Sequence, residues 1–65
     1  MITVNGEERD VAPGTTVAEL MGALQVPNRG VAVAVDGEVV PRGAWEATSL
    51  AGNAKVEVVM AVQGG

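Results

Sequence analysis

The side chains of this chain that could do chemistry are few and scattered. Its 65 residues include 8 Asp and Glu, 4 Lys and Arg, no histidine and no cysteine, and its serine is Ser49. Without an imidazole or a thiol, the usual general base, the commonest metal ligands, a thiol nucleophile and any disulfide or iron–sulfur scaffold are excluded. Carboxylates remain. Glu7, Glu8 and Asp10 gather behind an Asn-Gly pair, and Asp36 and Glu38 flank Gly37. Acid–base or metal chemistry needs carboxylates that converge in a pocket. These stand where turns call for polar residues and read as solvated turn charges. Arg9, Arg29, Arg42 and Lys55 are too dispersed for a phosphate-binding cluster, and no glycine-rich phosphate loop is present.

One reactive group needs no side chain. The chain runs to Gln63-Gly64-Gly65. Two residues without side chains make a thin thread, and three extended residues reach about 10 Å. An α-carboxyl group with a pKa of about 3.3–3.7 is ionised at neutral pH. Inserted into a partner's slot, it could attack the α-phosphate of a nucleoside triphosphate. On the residues alone two readings stand: a thread that larger enzymes handle as substrate, or a frayed end without a role. The lone aromatic, Trp45, also has two readings. It is expected to be partly buried beneath the second hairpin, its N–H seeking a partner, with a surface anchor for another protein as the alternative.

Composition narrows the rest. A net charge of -4 and a pI near 4.4 leave no basic footprint for nucleic acid, and a single aromatic offers no stacking platform. No run of 18 apolar residues occurs, so no membrane span is expected. No positively charged leader precedes an apolar stretch, so the expectation is a cytoplasmic protein. A chain this short makes one small domain, expected to span residues 1–62 with a flexible tail at 63–65.

The elements that must position the tail follow from local pattern. Ile2-Thr3-Val4 alternates like a half-buried strand, and Asn5-Gly6 signals a hairpin. Glu7 and Glu8 are expected to lengthen its loop, with Arg9 to Ala12 as the returning strand and Val11 inward. After Pro13-Gly14, Thr16 and Glu19 match a capping box. Val17, Leu20, Met21 and Leu24 then fill one helix face. Gly22 costs about 1 kcal/mol relative to Ala there, and is expected either to permit close backbone packing or simply to be tolerated. Pro27 is expected to end the helical stretch, and Asn28-Arg29-Gly30 to turn.

Val31, Val33 and Val35 should face that helix. Asp36-Gly37 marks a second hairpin and Glu38-Val39-Val40 returns until Pro41. Arg42 to Trp45 can form a short helical turn, and Ala47 to Leu50 a short edge strand. The last strand, Lys55 to Val62, is apolar on much of both faces and belongs in mid-sheet. Val56, Val58, Met60 and Val62 share one face, and Lys55, Glu57, Val59 and Ala61 the other. Two hairpins, one helix and a long final strand predict an α+β fold of the β-grasp, ubiquitin-like type, with a mixed sheet of about five strands covered by the helix.

Along its whole length the chain resembles the ThiS family, the sulfur carriers of thiamine thiazole biosynthesis. The resemblance lies in Ile2-Thr3-Val4-Asn5-Gly6, in the run Pro13 to Leu20, in Val33 to Val40, and in the Gly-Gly end. Val40-Pro41-Arg42-Gly43-Ala44-Trp45, similar to the family's Pro-Arg-x-x-Trp segment, is the most specific match. The resemblance implies a carrier rather than an enzyme, with no cofactor or metal of its own. It implies that a ubiquitin-activating-like enzyme uses Mg-ATP to adenylate the Gly65 carboxylate. A persulfide from a cysteine desulfurase or sulfurtransferase then yields a thiocarboxylate, and thiazole synthase takes the sulfur. Gly65 is then the modified residue, Gly64 and Gln63 thread the partner, and Val59 and Ala61 supply an exposed partner surface. Gln63 stands where many members carry Gly or Ala, and Gly52-Asn53-Ala54 where an acidic turn is common. A carrier for molybdopterin or an amino-acid sulfur route, or a non-covalent β-grasp binding module, are the alternative expectations.

Overall fold

Two tight turns set the architecture. The computed structural model describes residues 1–26 and 30–60. In it Asn5 and Gly6 take φ 50° and 85°, and Asp36 and Gly37 take 51° and 85°. Positive φ at both central positions gives a turn whose twist matches the strands it joins. The first turn joins β1 (Ile2–Val4) to β2 (Glu7–Arg9), with Val4 opposite Glu7. Pairing thus begins immediately after Gly6. Glu7 and Glu8 lie in the strand, not in a longer loop, and the strand ends at Arg9 rather than reaching Ala12. All three β2 residues are exposed, so their polarity costs nothing, and their charges discourage edge-to-edge pairing. Val11 lies beyond the strand yet packs against the core as expected.

The helix α1 (Val17–Leu24) starts at a complete capping box. The Glu19 N–H donates to the Thr16 hydroxyl at 3.1 Å and the Thr16 N–H to the Glu19 carboxylate at 2.9 Å. Val17, Leu20 and Met21 are buried, each contributing about 1.5–3 kcal/mol relative to exposure. The helix stops before any proline: Gln25 takes φ 59° and its N–H closes on the Gly22 carbonyl. The expected stop at Pro27, and Asn28 and Arg29 of the following turn, lie outside the described residues. An added Cβ at Gly22 would meet nothing within 4 Å, so close backbone packing does not explain this glycine.

The second turn joins β3 (Val31–Val35) to β4 (Glu38–Val40). Val33 is buried, with Val31 and Val35 partly so. A 3₁₀ helix (Arg42–Ala47) follows. No edge strand forms from Ala47 to Leu50. The segment crosses under the start of α1 instead, with an isolated bridge between Ser49 and Thr16. There the Thr48 carbonyl accepts the Val17 N–H at 2.9 Å, satisfying a donor the first helical turn leaves free. The final strand β5 (Lys55–Met60) sits in mid-sheet, in the order β2-β1-β5-β3-β4. It runs parallel to β1 and antiparallel to β3, so the sheet is mixed. The β-grasp expectation is met. Ala61 and Val62, expected to continue the strand, lie outside the described residues.

Candidate functional site

Strand alternation divides β5 between two surfaces. Val56 is fully buried on the helix side and Val58 is partly buried. On the opposite, open face lie Lys55, Glu57 and Val59, and Val59 is 63% exposed. Register places Ala32 opposite Val59, and Ala34 between Glu57 and Val39. The two alanines form a low floor. Val39, 73% exposed, and Val59 rise as its walls, and Glu57 borders it. Together they line a shallow apolar depression of about 190 Å³ next to the end of β5. Val59 is therefore accessible, as a partner surface requires. Ala61, Gln63, Gly64 and Gly65 lie outside the described residues.

Sequence reasoning missed Ala32, Ala34 and Val39. The signal was present: a two-residue turn at Asp36-Gly37 obliges Ala34 to pair with Val39, which puts both on the face of Val59.

Side chains from both hairpin turns hold β5 along its length. At its start, the Lys55 N–H donates to the Asp36 carboxylate at 3.0 Å, and the Asp36 N–H to the Lys55 carbonyl at 2.8 Å. Nearer the tail, the Asn5 N–H donates to the Val56 carbonyl at 2.9 Å. The Asn5 side chain then engages Val58 twice. Its Nδ2 donates to the Val58 carbonyl at 3.1 Å and its Oδ1 accepts the Val58 N–H at 2.8 Å. The sequence pattern marks both residues only as turn formers.

The other chemistry-bearing residues do not converge. Glu7, Glu8 and Asp10 are exposed. Among the described residues no group of three metal-ligating side chains occurs, and no helix is long and apolar enough to cross a membrane. Trp45 is only 6% exposed, deeper than the partial burial expected, and its Nε1–H donates to the Val40 carbonyl at 3.0 Å. The Arg42 guanidinium lies 5.2 Å from the centre of its ring. The Pro-Arg-x-x-Trp segment thus closes the core under the second hairpin: Pro41 ends β4, Arg42 covers the ring, and the indole ties the turn to the strand. A surface-anchor role for Trp45 does not fit that burial.

Comparison with known proteins agrees with this geometry. The sequence model of the ThiS family matches residues 2–65. A thiazole synthase of Paramagnetospirillum magneticum is 36% identical over 64 residues, which are 98% of this chain and 20% of that protein. The chain therefore spans only a small part of that relative's length. The crystal structure of a thiamine biosynthesis protein (ThiS) from Geobacter metallireducens is similar with a TM-score of 0.80 and 37% identity, covering 98% of this chain and 97% of that one. An NMR solution structure of a thiamine biosynthesis protein from the same organism also gives 0.80 and 37%, covering 98% and 86%. Matched in sequence from residue 2 to residue 65 and in fold along nearly all of a solved member, the chain belongs to the ThiS family of ubiquitin-like sulfur carriers in thiamine biosynthesis.

Proposed function

We propose that the chain carries sulfur as a thiocarboxylate on Gly65 and delivers it for formation of the thiamine thiazole. The observation that carries this reading is the family match running through residue 65, with an open apolar face beside the end of β5. In the proposed sequence, an adenylating enzyme of the ubiquitin-activating type binds the Ala32–Ala34–Val39–Val59 face and takes up Gln63-Gly64-Gly65. A Gly65 carboxylate oxygen attacks the α-phosphorus of Mg-ATP, and pyrophosphate leaves. The terminal sulfur of a persulfide, supplied by a cysteine desulfurase or sulfurtransferase, attacks the acyl carbon, and AMP leaves. A thiol then reduces the S–S bond, freeing the thiocarboxylate, which thiazole synthase consumes. The chain supplies a backbone terminus and a docking face; the catalytic groups and Mg-ATP belong to the partners. The proposed setting is the cytoplasm, where ATP is available to the adenylating partner.

The thiazole branch is favoured over other sulfur routes because the relative from Paramagnetospirillum magneticum is a thiazole synthase. Intact-mass measurement tests the reading. With the cognate adenylating enzyme, Mg-ATP and a sulfur donor, the chain should gain the mass of an oxygen-to-sulfur exchange. It should lose that gain on addition of thiazole synthase and its substrates. No gain, with an adenylating enzyme shown active on another carrier, overturns the carrier role. A gain that only a molybdopterin-type acceptor discharges overturns the thiazole assignment.

A further inference from the structure

We propose that Asn5 is a positioning residue for the end of β5 and its docking residue Val59, its side-chain amide extending the β1–β5 ladder to Val58. The backbone of β1 cannot do this. It pairs with β5 only through Thr3–Lys55 and Val4–Val56, and then turns away at Asn5-Gly6. On the β3 side, pairing of β5 continues to Met60, opposite Val31. Val58, partly buried, is left with an N–H and a C=O turned towards a strand that has departed. Such groups take a partner from the protein or from water, and here the protein supplies it.

A carboxamide carries one acceptor and one donor, as a peptide unit does. The Asn5 side chain uses both on Val58, at 2.8 and 3.1 Å, across a sequence separation of 53. Asn5 also sits at φ 50°, where Gly, Asn and Asp are the residues readily tolerated. Gly offers no side chain, and an ionised Asp only accepts. Asparagine alone among the three meets the backbone and the ladder requirements together. Both edges of β5 are thereby held as far as Val58, immediately before the docking residue Val59.

The consequence for sulfur loading rests on the carrier reading above. A strand end held on both edges keeps Val59 in one place on the open face. A partner that docks on that face then loses less entropy on binding. A looser strand end populates the competent geometry only part of the time, and apparent affinity falls by that fraction.

Two substitutions separate the ladder from the turn. Asn5→Gly keeps positive φ and removes both side-chain bonds, and Asn5→Asp keeps only the acceptor. Amide hydrogen exchange of the full chain is read at Val59, whose N–H points to the β3 edge and never touches Asn5, and at Val33 in the sheet centre. In Asn5→Gly the Val59 rate should rise about tenfold more than the Val33 rate, and in Asn5→Asp by less. KM for sulfur loading should rise by about three- to tenfold in Asn5→Gly with kcat nearly unchanged. An equal rise at Val59 and Val33, in either folded variant, overturns the proposal, since Asn5 then only stabilises the whole sheet. A selective rise at Val59 with unchanged KM overturns its role in presenting the docking face. If the unsubstituted chain accepts no sulfur, the carrier reading fails while the exchange ratio still decides whether Asn5 holds the strand end.

Discussion

Trp45 shows how a single residue can carry both packing and wiring. Its ring is buried in the core and its Nε1–H occupies the Val40 carbonyl at the end of β4. Replacing it with Phe keeps an aromatic ring but leaves that carbonyl without its donor and part of the volume empty. Trp45→Phe should therefore cost about 1–3 kcal/mol, combining a lost hydrogen bond with a small cavity. Urea unfolding followed by circular dichroism checks this. A loss well below that range would mean that water replaces the indole at Val40.

The same scale shows what could be read from the sequence. Asn5-Gly6, Asp36-Gly37 and the Thr16–Glu19 box were legible because each is satisfied within a few residues of itself. The second use of Asn5 and of Asp36 was not, since their partners Val58 and Lys55 lie 53 and 19 residues away. No local pattern announces a side chain that completes a ladder after the chain has folded back.

At the scale of elements, the helix is the one whose sequence conflicts with itself. It spans 8 residues, too few to persist alone, and includes Gly22. Among the described residues a Cβ there meets nothing within 4 Å. Gly22→Ala should thus stabilise the protein by about 0.5–1 kcal/mol, a rise of roughly 4–8 °C in Tm per kcal/mol for a domain of this size. A thermal scan checks it, and a fall in Tm would show that the helix needs the glycine for close packing. Gly22 lines a groove with Ala18, Met21, Arg42, Trp45 and Glu46, on the helix side of the sheet. Sulfur loading of Gly22→Ala should be unchanged if partners use only the open face.

Element boundaries were less legible than element identity. Glu7 and Glu8 pair within β2 because a two-residue turn permits pairing at once, although neither residue favours strands. Ala47 to Leu50 has weak strand preference, with Thr48 its one β-branched residue, and is drawn beneath the helix start. There the Thr48 carbonyl and the Leu50 N–H bond to Val17 and Thr15, across the chain rather than along a sheet edge.

For the whole molecule, the two sides of the sheet divide the work. The helix side holds Ile2, Val17, Leu20, Val33, Trp45 and Val56 and supplies the stability. Among the described residues the other side carries no covering layer, and its apolar part lies beside the end of β5. A chain lacking histidine and cysteine can serve sulfur chemistry if its partners bring the reactive groups and it brings a surface to grip. That division makes surface and core separable by mutation. Val39 is 73% exposed, so Val39→Asp removes little burial, and strand propensity limits its cost to about 1 kcal/mol. Placed in the wall of the depression, the charge would have to be desolvated against an apolar partner surface, a penalty of about 1–3 kcal/mol even when partly compensated. KM for sulfur loading by the adenylating enzyme should accordingly rise at least about fivefold while Tm falls by no more than a few degrees. An unchanged KM would place the docking surface elsewhere, and the groove beside Gly22 would then be the face to mutate.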